Sequence, residues 1–326
     1  MKTQILNRNN PKKLKIVFSG TPMFAAKYLQ SLINYKYDIL AVITKKNNKS
    51  KRGKKTIDSP VKKIAKIFSI QVFEINCLSK DKKIIKNLKK LNADIMIVVA
   101  YGSIVPYSIL HLFPFGCINL HPSLLPRWRG ASPIPHSILS GDKITGITII
   151  QMNESIDSGR IMFASKCLIK NKETSSSLEK KLFKIGIYGI VYVLKKIEHK
   201  EPIKLIYQKE TLSTYSKKIK KENARINWNK EACYIERLIR AFIPWPIAFF
   251  IFNNIKIKVL QSSIVYNNEI YKIGEIIKIN KEGIQVNTKN GLILLKKIQF
   301  PGKKIISIQD FINSNKKLLK PGIVLN

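Results

Sequence analysis

The sequence lacks any run of apolar residues long enough to cross a bilayer. The stretch IMIVVA at 95–100 is among its longest and falls far short of the roughly 20 residues that a spanning helix needs. This predicts a soluble protein with no membrane partner, and the polar first 13 residues carry no apolar centre of a secretory signal. Cysteine is scarce too. Cys77, Cys117, Cys167 and Cys233 lie far apart, a spacing that argues against a zinc site, a redox pair or a disulfide framework and predicts reduced thiols in the cytoplasm. Acidic residues are few, 20 against 59 basic ones, for a net charge of +39. Arginine is the rarer base: eight of the 59 are Arg and the other 51 are Lys. With Ile and Asn also abundant, part of this lysine excess reads as A/T-rich codon bias, yet charge of this size still favours a polyanionic partner through counterion release. There is no GxGxxG and no glycine loop ending in Lys-Ser/Thr, so Gly20-Thr21-Pro22 reads as a tight strand-to-helix turn rather than a nucleotide loop.

What is present is the material of two globular domains. The length, 326 residues, exceeds one typical domain, and 45% hydrophobic residues suffice for a core. From residue 15 onward, short β-branched runs alternate with amphipathic segments. Strands are predicted over 15–19, 38–44, 71–74, 94–100 and 117–120, and helices follow Pro22 to about 34 and over 61–68 and 80–91. This is the rhythm of a doubly wound, mostly parallel α/β sheet of the Rossmann-like kind, which binds ligands beyond the carboxyl ends of its strands. Strands over 145–152 and 160–169 complete the sheet as an antiparallel pair, and a helix over 176–197 closes the domain. The stretch 201–230 loses its period and reads as a linker. After a helix over 231–241, turn signals at Asn253-Asn254, Asn267-Asn268, Glu282-Gly283 and Asn290-Gly291 separate short strands, which predicts a smaller OB-like β-barrel over 231–326.

The segment GCINLHPSLLPRWRGASPI at 116–134 carries most of the chemistry. Asn119 and His121 stand two apart near a strand end, so their side chains share one side while Leu120 takes the other. An amide donor beside an imidazole can polarise a carbonyl and move a proton; the plainer reading is a strand-end histidine bonded to a neighbouring loop. Pro122 and Pro126 stiffen the loop between them, fit to wall a flat ligand or simply to connect two elements. Asp157, in the turn Ser155-Ile156-Asp157-Ser158-Gly159, is placed either to orient the imidazole or to close an Asx-turn. His111, His136 and His199 have no metal-ligand spacing to another His or Cys, so no metal is expected.

Taken together, Asn119-Leu-His121-Pro-Ser123-Leu-Leu-Pro126-Arg127-Trp128-Arg129-Gly130-Ala131, Asp157-Ser158-Gly159 and Phe18-Ser-Gly20-Thr21-Pro22-x-Phe24-Ala25 resemble the methionyl-tRNA formyltransferase family. Further matches span the chain, among them Val98-Val99-Ala100-Tyr101-Gly102, Ala224-Arg225-Ile226-Asn227-Trp228 and Arg240-Ala241-Phe242-x-Pro244-Trp245-Pro246. The resemblance implies transfer of a formyl group from 10-formyltetrahydrofolate, a co-substrate rather than a tightly bound cofactor, to the α-amine of methionine on initiator tRNA. It implies catalytic roles for Asn119, His121 and Asp157. Ser123, Leu124, Leu125 and Pro126 would lie along the folate, and the backbone of 99–102 would form part of its pocket. Arg52 would contact tRNA from a loop over 45–55, and a catalytic domain over 1–200 would precede the tRNA-binding barrel in a cytoplasmic monomer. Two departures stand out. Lys46 to Lys51 replace a proline-containing stretch usual before the family's Arg-Gly, and Arg160 follows the aspartate turn where members often carry an acid. The competing expectations are a glycinamide ribonucleotide or sugar-nucleotide formyltransferase, and a non-catalytic RNA-binding protein. The first normally lacks the second barrel, the second usually carries a dehydrogenase domain, and the third gives no reason for Asn119, His121 and Asp157 to occur together.

Overall fold

The computed structural model of the protein describes residues 13–46, 57–266, 269, 271–314 and 318–325. The loop over 45–55 expected to contact tRNA, with Arg52, falls almost wholly outside the described residues, as does the Asn267-Asn268 turn signal. The chain divides into two compact units. One comprises 1–129, 146–167 and 181–215, the other 130–145, 168–180 and 216–326.

The first unit is built on β1(Lys15–Gly20), β2(Asp38–Thr44), β3(Gln71–Glu74), β4(Ile95–Val99) and β5(Cys117–His121), connected by α1(Met23–Asn34), α2(Pro60–Ile67), α3(Lys82–Lys90) and the single turn α4(Tyr107–Leu110). These strands lie in the order β3-β2-β1-β4-β5, and every neighbouring pair among them is parallel. All five residues of β4 are buried, as expected of a central parallel strand covered on both faces. The order reverses between β1 and β4, the switch point at which a doubly wound sheet opens a crevice. Gly20 is required there, because a Cβ on it would lie 2.6 Å from the Ala25 Cβ and 2.7 Å from the Val99 carbonyl oxygen. It lets strand and helix approach, as the tight-turn reading expects.

Local capping fixes where the helices begin. The Ser59 hydroxyl accepts from the Lys62 amide at 3.1 Å, with Pro60 in the first turn of α2. The helix expected over 80–91 is instead a 3-10 turn over Leu78–Lys80 followed by α3, because the Asp81 carboxylate accepts from the amides of Lys83 and Ile84 and restarts the helix there.

After β6(Arg129–Gly130) and α5(Pro133–Leu139), the long strands β7(Ile144–Gln151) and β8(Arg160–Leu168) complete a seven-stranded sheet. β7 runs antiparallel to β5, with His121 opposite Thr148 and Ile118 opposite Gln151. α6(Ser175–Glu198) follows. The stretch read as a linker contains a 3-10 turn over Glu210–Leu212, the two-residue β9(Tyr215–Ser216), which pairs with β6, and a second 3-10 turn over Glu222–Ala224.

In the second unit, α7(Ala232–Ala241) precedes β10(Phe249–Phe252), β11(Ile255–Val265), β12(Ile276–Asn280), β13(Gly283–Asn287), β14(Leu292–Gln299), β15(Ile306–Ser307) and α8(Ile308–Asn313). The strands make one antiparallel sheet in the order β10-β11-β14-β13-β12, with β15 added to β14. This antiparallel sheet stands where the turn spacing predicts the smaller OB-like β-barrel. Asn253 and Asn254 both have positive φ, the geometry of a tight two-residue hairpin that asparagine tolerates. Register shifts around Gln261 curl the long β11, and Phe250, Ile257, Ile284, Ile293 and Leu295 are buried in the core. Among the described residues no helix is long and apolar enough to cross a membrane.

Candidate active site

The antiparallel register of β7 creates a geometric problem for the site. Since Gln151 lies opposite Ile118, the turn after β7 leaves the sheet beside the start of β5, yet Asp157 reaches the side chains of Asn119 and His121. The turn must therefore fold back. Two backbone features allow it. Asp157 takes a left-handed φ of 50°, tolerable for an aspartate. Gly159 packs so tightly that a Cβ would come within 1.9 Å of the Gln151 carbonyl oxygen.

The refolded turn brings the three expected side chains together. Asn119 Nδ2 donates to Asp157 Oδ1 at 3.0 Å, and His121 Nδ1 lies 3.5 Å from Asp157 Oδ2. The other ring nitrogen, His121 Nε2, is 2.8 Å from the carbonyl oxygen of Trp128. A carbonyl only accepts, so Nε2 carries the hydrogen, and Nδ1 is the nitrogen left to take or give a proton beside the carboxylate. The His121 side chain is 5% exposed and that of Asp157 15%, so water has little access to the pair. A partly enclosed carboxylate, imidazole and amide can stabilise a developing oxyanion and relay a proton.

The Trp128 carbonyl is held by the loop itself. The Ser123 hydroxyl donates to the Arg127 carbonyl at 2.5 Å, and the Thr148 hydroxyl donates to the Ser123 carbonyl while accepting from the Leu125 amide. On the other side Thr214 accepts from the amides of Trp128 and Arg129, through its hydroxyl and its carbonyl, and donates its own amide to the Pro126 carbonyl. Ser123 and Leu125 are consequently buried, and of the four residues expected along the folate it is Leu124 and Pro126 that keep exposed surface. Nearby, Ala100 and Gly102 adopt positive φ, and Tyr101 is buried with its hydroxyl on the Ile75 carbonyl. A cavity of ≈ 620 Å³, lined by Lys46, Glu74, Asn76, Cys77, Lys80 and Asp81, opens past β3 and includes none of the three converging residues.

Sequence reasoning missed the support around Asp157. Gln208 Nε2 donates to the carbonyls of both Asp157 and Gly159 at 2.8 Å, and Gln208 Oε1 accepts from Arg129 Nε and Nη2. Arg129 is buried and is gripped in turn by Glu210, whose carboxyl its guanidinium holds below the ordinary range. A glutamine within a polar, aperiodic stretch carries no sequence signal. Arg160, the unusual base after the turn, donates to Gln151 at 2.7 Å and lies over the Tyr207 ring. The other histidines stand apart: His136 bonds the Ser132 carbonyl within α5, and His111 packs on Tyr107. Among the described residues no group of three His, Cys, Asp or Glu side chains is arranged to hold a metal ion.

Comparison with known proteins decides the family. The Formyl transferase family model matches residues 12–194, and the Formyl transferase, C-terminal domain model matches 218–316. The methionyl-tRNA formyltransferase of Buchnera aphidicola subsp. Acyrthosiphon pisum (strain Tuc7) is 50% identical over 319 residues, covering 96% of this chain and 100% of that protein. The chain belongs to the methionyl-tRNA formyltransferase family. A more distant member, from Coxiella burnetii (strain CbuK_Q154), is 42% identical over 309 residues, covering 95% of this chain and 98% of its own. The fold extends beyond the family: the crystal structure of an N-formyltransferase from Helicobacter canadensis aligns at a TM-score of 0.63 with 19% identity, over 86% of this chain and 98% of that one.

Proposed function

We propose that Asn119, His121 and Asp157 are the catalytic residues of a methionyl-tRNA formyltransferase. The protein transfers a formyl group from 10-formyltetrahydrofolate, its co-substrate, to the α-amine of methionyl-tRNA. The observation that carries the site reading is the convergence of an amide, an imidazole and a carboxylate from two separate chain segments, within 3.0 and 3.5 Å, in a member of this family. The amine attacks the formyl carbon, and the carbonyl oxygen gains charge as the tetrahedral adduct forms. Asn119 donates to that charge, and His121 does so once its Nδ1 has taken up a proton. The amine loses one proton and the departing N10 gains one, so the step needs a relay that is restored at the end. His121 Nδ1, with Asp157 behind it, is the nitrogen with a free lone pair for that relay.

The folate lies along Leu124 and Pro126, with Ser123 and Leu125 shaping the loop beneath it and the backbone of 99–102 contributing to its pocket. A catalytic domain over 1–200, a linker over 201–230 and a tRNA-binding domain over 231–326 act in a cytoplasmic monomer. Arg52 grips the acceptor end of the initiator tRNA, since its planar fork holds a phosphate or stacks on an unpaired base as lysine cannot. The direct test mixes the protein with methionyl-tRNA and 10-formyltetrahydrofolate. Formylmethionyl-tRNA should form in the parent and be nearly lost in Asp157→Asn; full turnover in that variant would remove the carboxylate from the mechanism.

A further inference from the structure

Asp157 sits in a turn rather than in the sheet, with a left-handed φ, so contacts to the turn rather than a strand ladder place its carboxylate. Gln208 bonds this turn from outside it. Both carbonyls flanking the functional turn, those of Asp157 and Gly159, accept from Gln208 Nε2 at 2.8 Å. The amide's other end is equally committed, with Oε1 accepting from Arg129 Nε at 3.1 Å and Nη2 at 2.9 Å. A guanidinium can only donate and a carbonyl can only accept, so the amide has a single satisfactory orientation, in which both hydrogens and both lone pairs are used. Arg129 is itself fixed: its guanidinium is buried and bonds both Glu210 carboxyl oxygens at 2.7 and 2.6 Å.

From this geometry we infer that Gln208 is a positioning residue for formyl transfer, holding the Asp157 turn so that one carboxylate spans Asn119 and His121. The inference rests on the site reading given above. Glutamine is the side chain that fits. Asparagine is one methylene too short to reach, methionine has neither donor nor strong acceptor, and glutamate would keep an acceptor for Arg129 while setting an oxygen against two carbonyl oxygens. Gln208→Glu therefore separates positioning from simple packing. It preserves size and the tie to Arg129, and it removes the two donors that hold the turn.

The test measures kcat, KM for each substrate and thermal midpoint on the full-length protein. An ångström-scale shift of Asp157 should lower kcat by about 10- to 100-fold in Gln208→Glu, with both KM values essentially unchanged. Its melting temperature should stay within about 2 °C of the parent. If Gln208 acts only through Asp157, combining Gln208→Glu with Asp157→Asn should cost no more than about twofold beyond Asp157→Asn alone. Should Gln208→Glu fail to fold, Gln208→Met is read the same way. Parent-like kcat in the Gln208 variant, or losses that multiply in the double variant, would overturn the positioning role and leave the site reading intact. Parent-like turnover in Asp157→Asn would overturn the site reading, and this inference with it.

Discussion

Two arms of the same site are built by different means. Asn119 and His121 ride on β5, between β4 and β7, where the ladder fixes the backbone and alternation alone aims both side chains to one side. Asp157 rides on a turn that must fold back over that strand, and its position is borrowed from Gln208, a side chain 51 residues away. A sheet averages its errors over many hydrogen bonds, whereas a turn rests on a few side-chain bonds, those of Gln208 among them. The strand arm should therefore tolerate change to its packing and the turn arm should not.

The largest expected effect comes from removing chemistry in the rigid arm. His121→Ala deletes the imidazole between the Trp128 carbonyl and Asp157, and turnover should fall by about 10²- to 10³-fold. Affinity for methionyl-tRNA, measured by filter binding, should remain close to the parent value. Asn119→Ala should behave alike, and near-normal rates in both would remove them from the mechanism.

The comparison itself is sharpened by a matched pair of structural changes. Ile118→Val trims a fully buried side chain on β5 and should cost about 0.5–1.5 kcal/mol of stability, with kcat preserved because the ladder keeps its register. Gly159→Ala must displace the Gln151 carbonyl or the turn, and should cost about 1–3 kcal/mol while lowering kcat disproportionately. Denaturant midpoints and single-turnover rates on both variants check this. Equal kcat losses would mean that the arms do not differ in robustness.

A smaller effect concerns acid. Arg129 holds the Glu210 carboxyl below its ordinary value of 4.5 in the folded protein. A depressed folded value means that the contact adds stability above the unfolded value and loses it as pH falls through the folded one. Thermal midpoints of the parent and Glu210→Gln should thus differ slightly near neutrality and converge below about pH 4.5. Because Glu210 is exposed, solvent screening keeps this the least of the differences. A gap that widens in acid would contradict the sign.

Much of the fold was legible in the sequence for local reasons. The runs predicted as strands at 38–44 and 71–74 begin and end on polar residues, and the strands found there have those limits. The helix start predicted near 80 turns on whether Asp81 caps, which depends on the geometry of the chain entering it. The same-side placement of Asn119 and His121 was legible as well, because strand alternation is a property of the backbone.

The sequence by itself therefore determined the alternating α/β core, the β-rich second domain and which polar residues cluster in one motif, since these follow from periodicity, chirality and spacing along a short stretch. Tertiary structure decided the rest. Only the folded chain shows that the Trp128 carbonyl commits Nε2 of His121, and that Thr214 and Thr148 hold the loop bearing that carbonyl. Only it shows Gln208, from a stretch with no period, closing on the Asp157 turn. The reason is physical. Apart from His121 and Trp128, seven residues apart, these contacts join residues whose separation along the chain exceeds any local pattern, and their hydrogen-bonding partners meet only after the chain has folded.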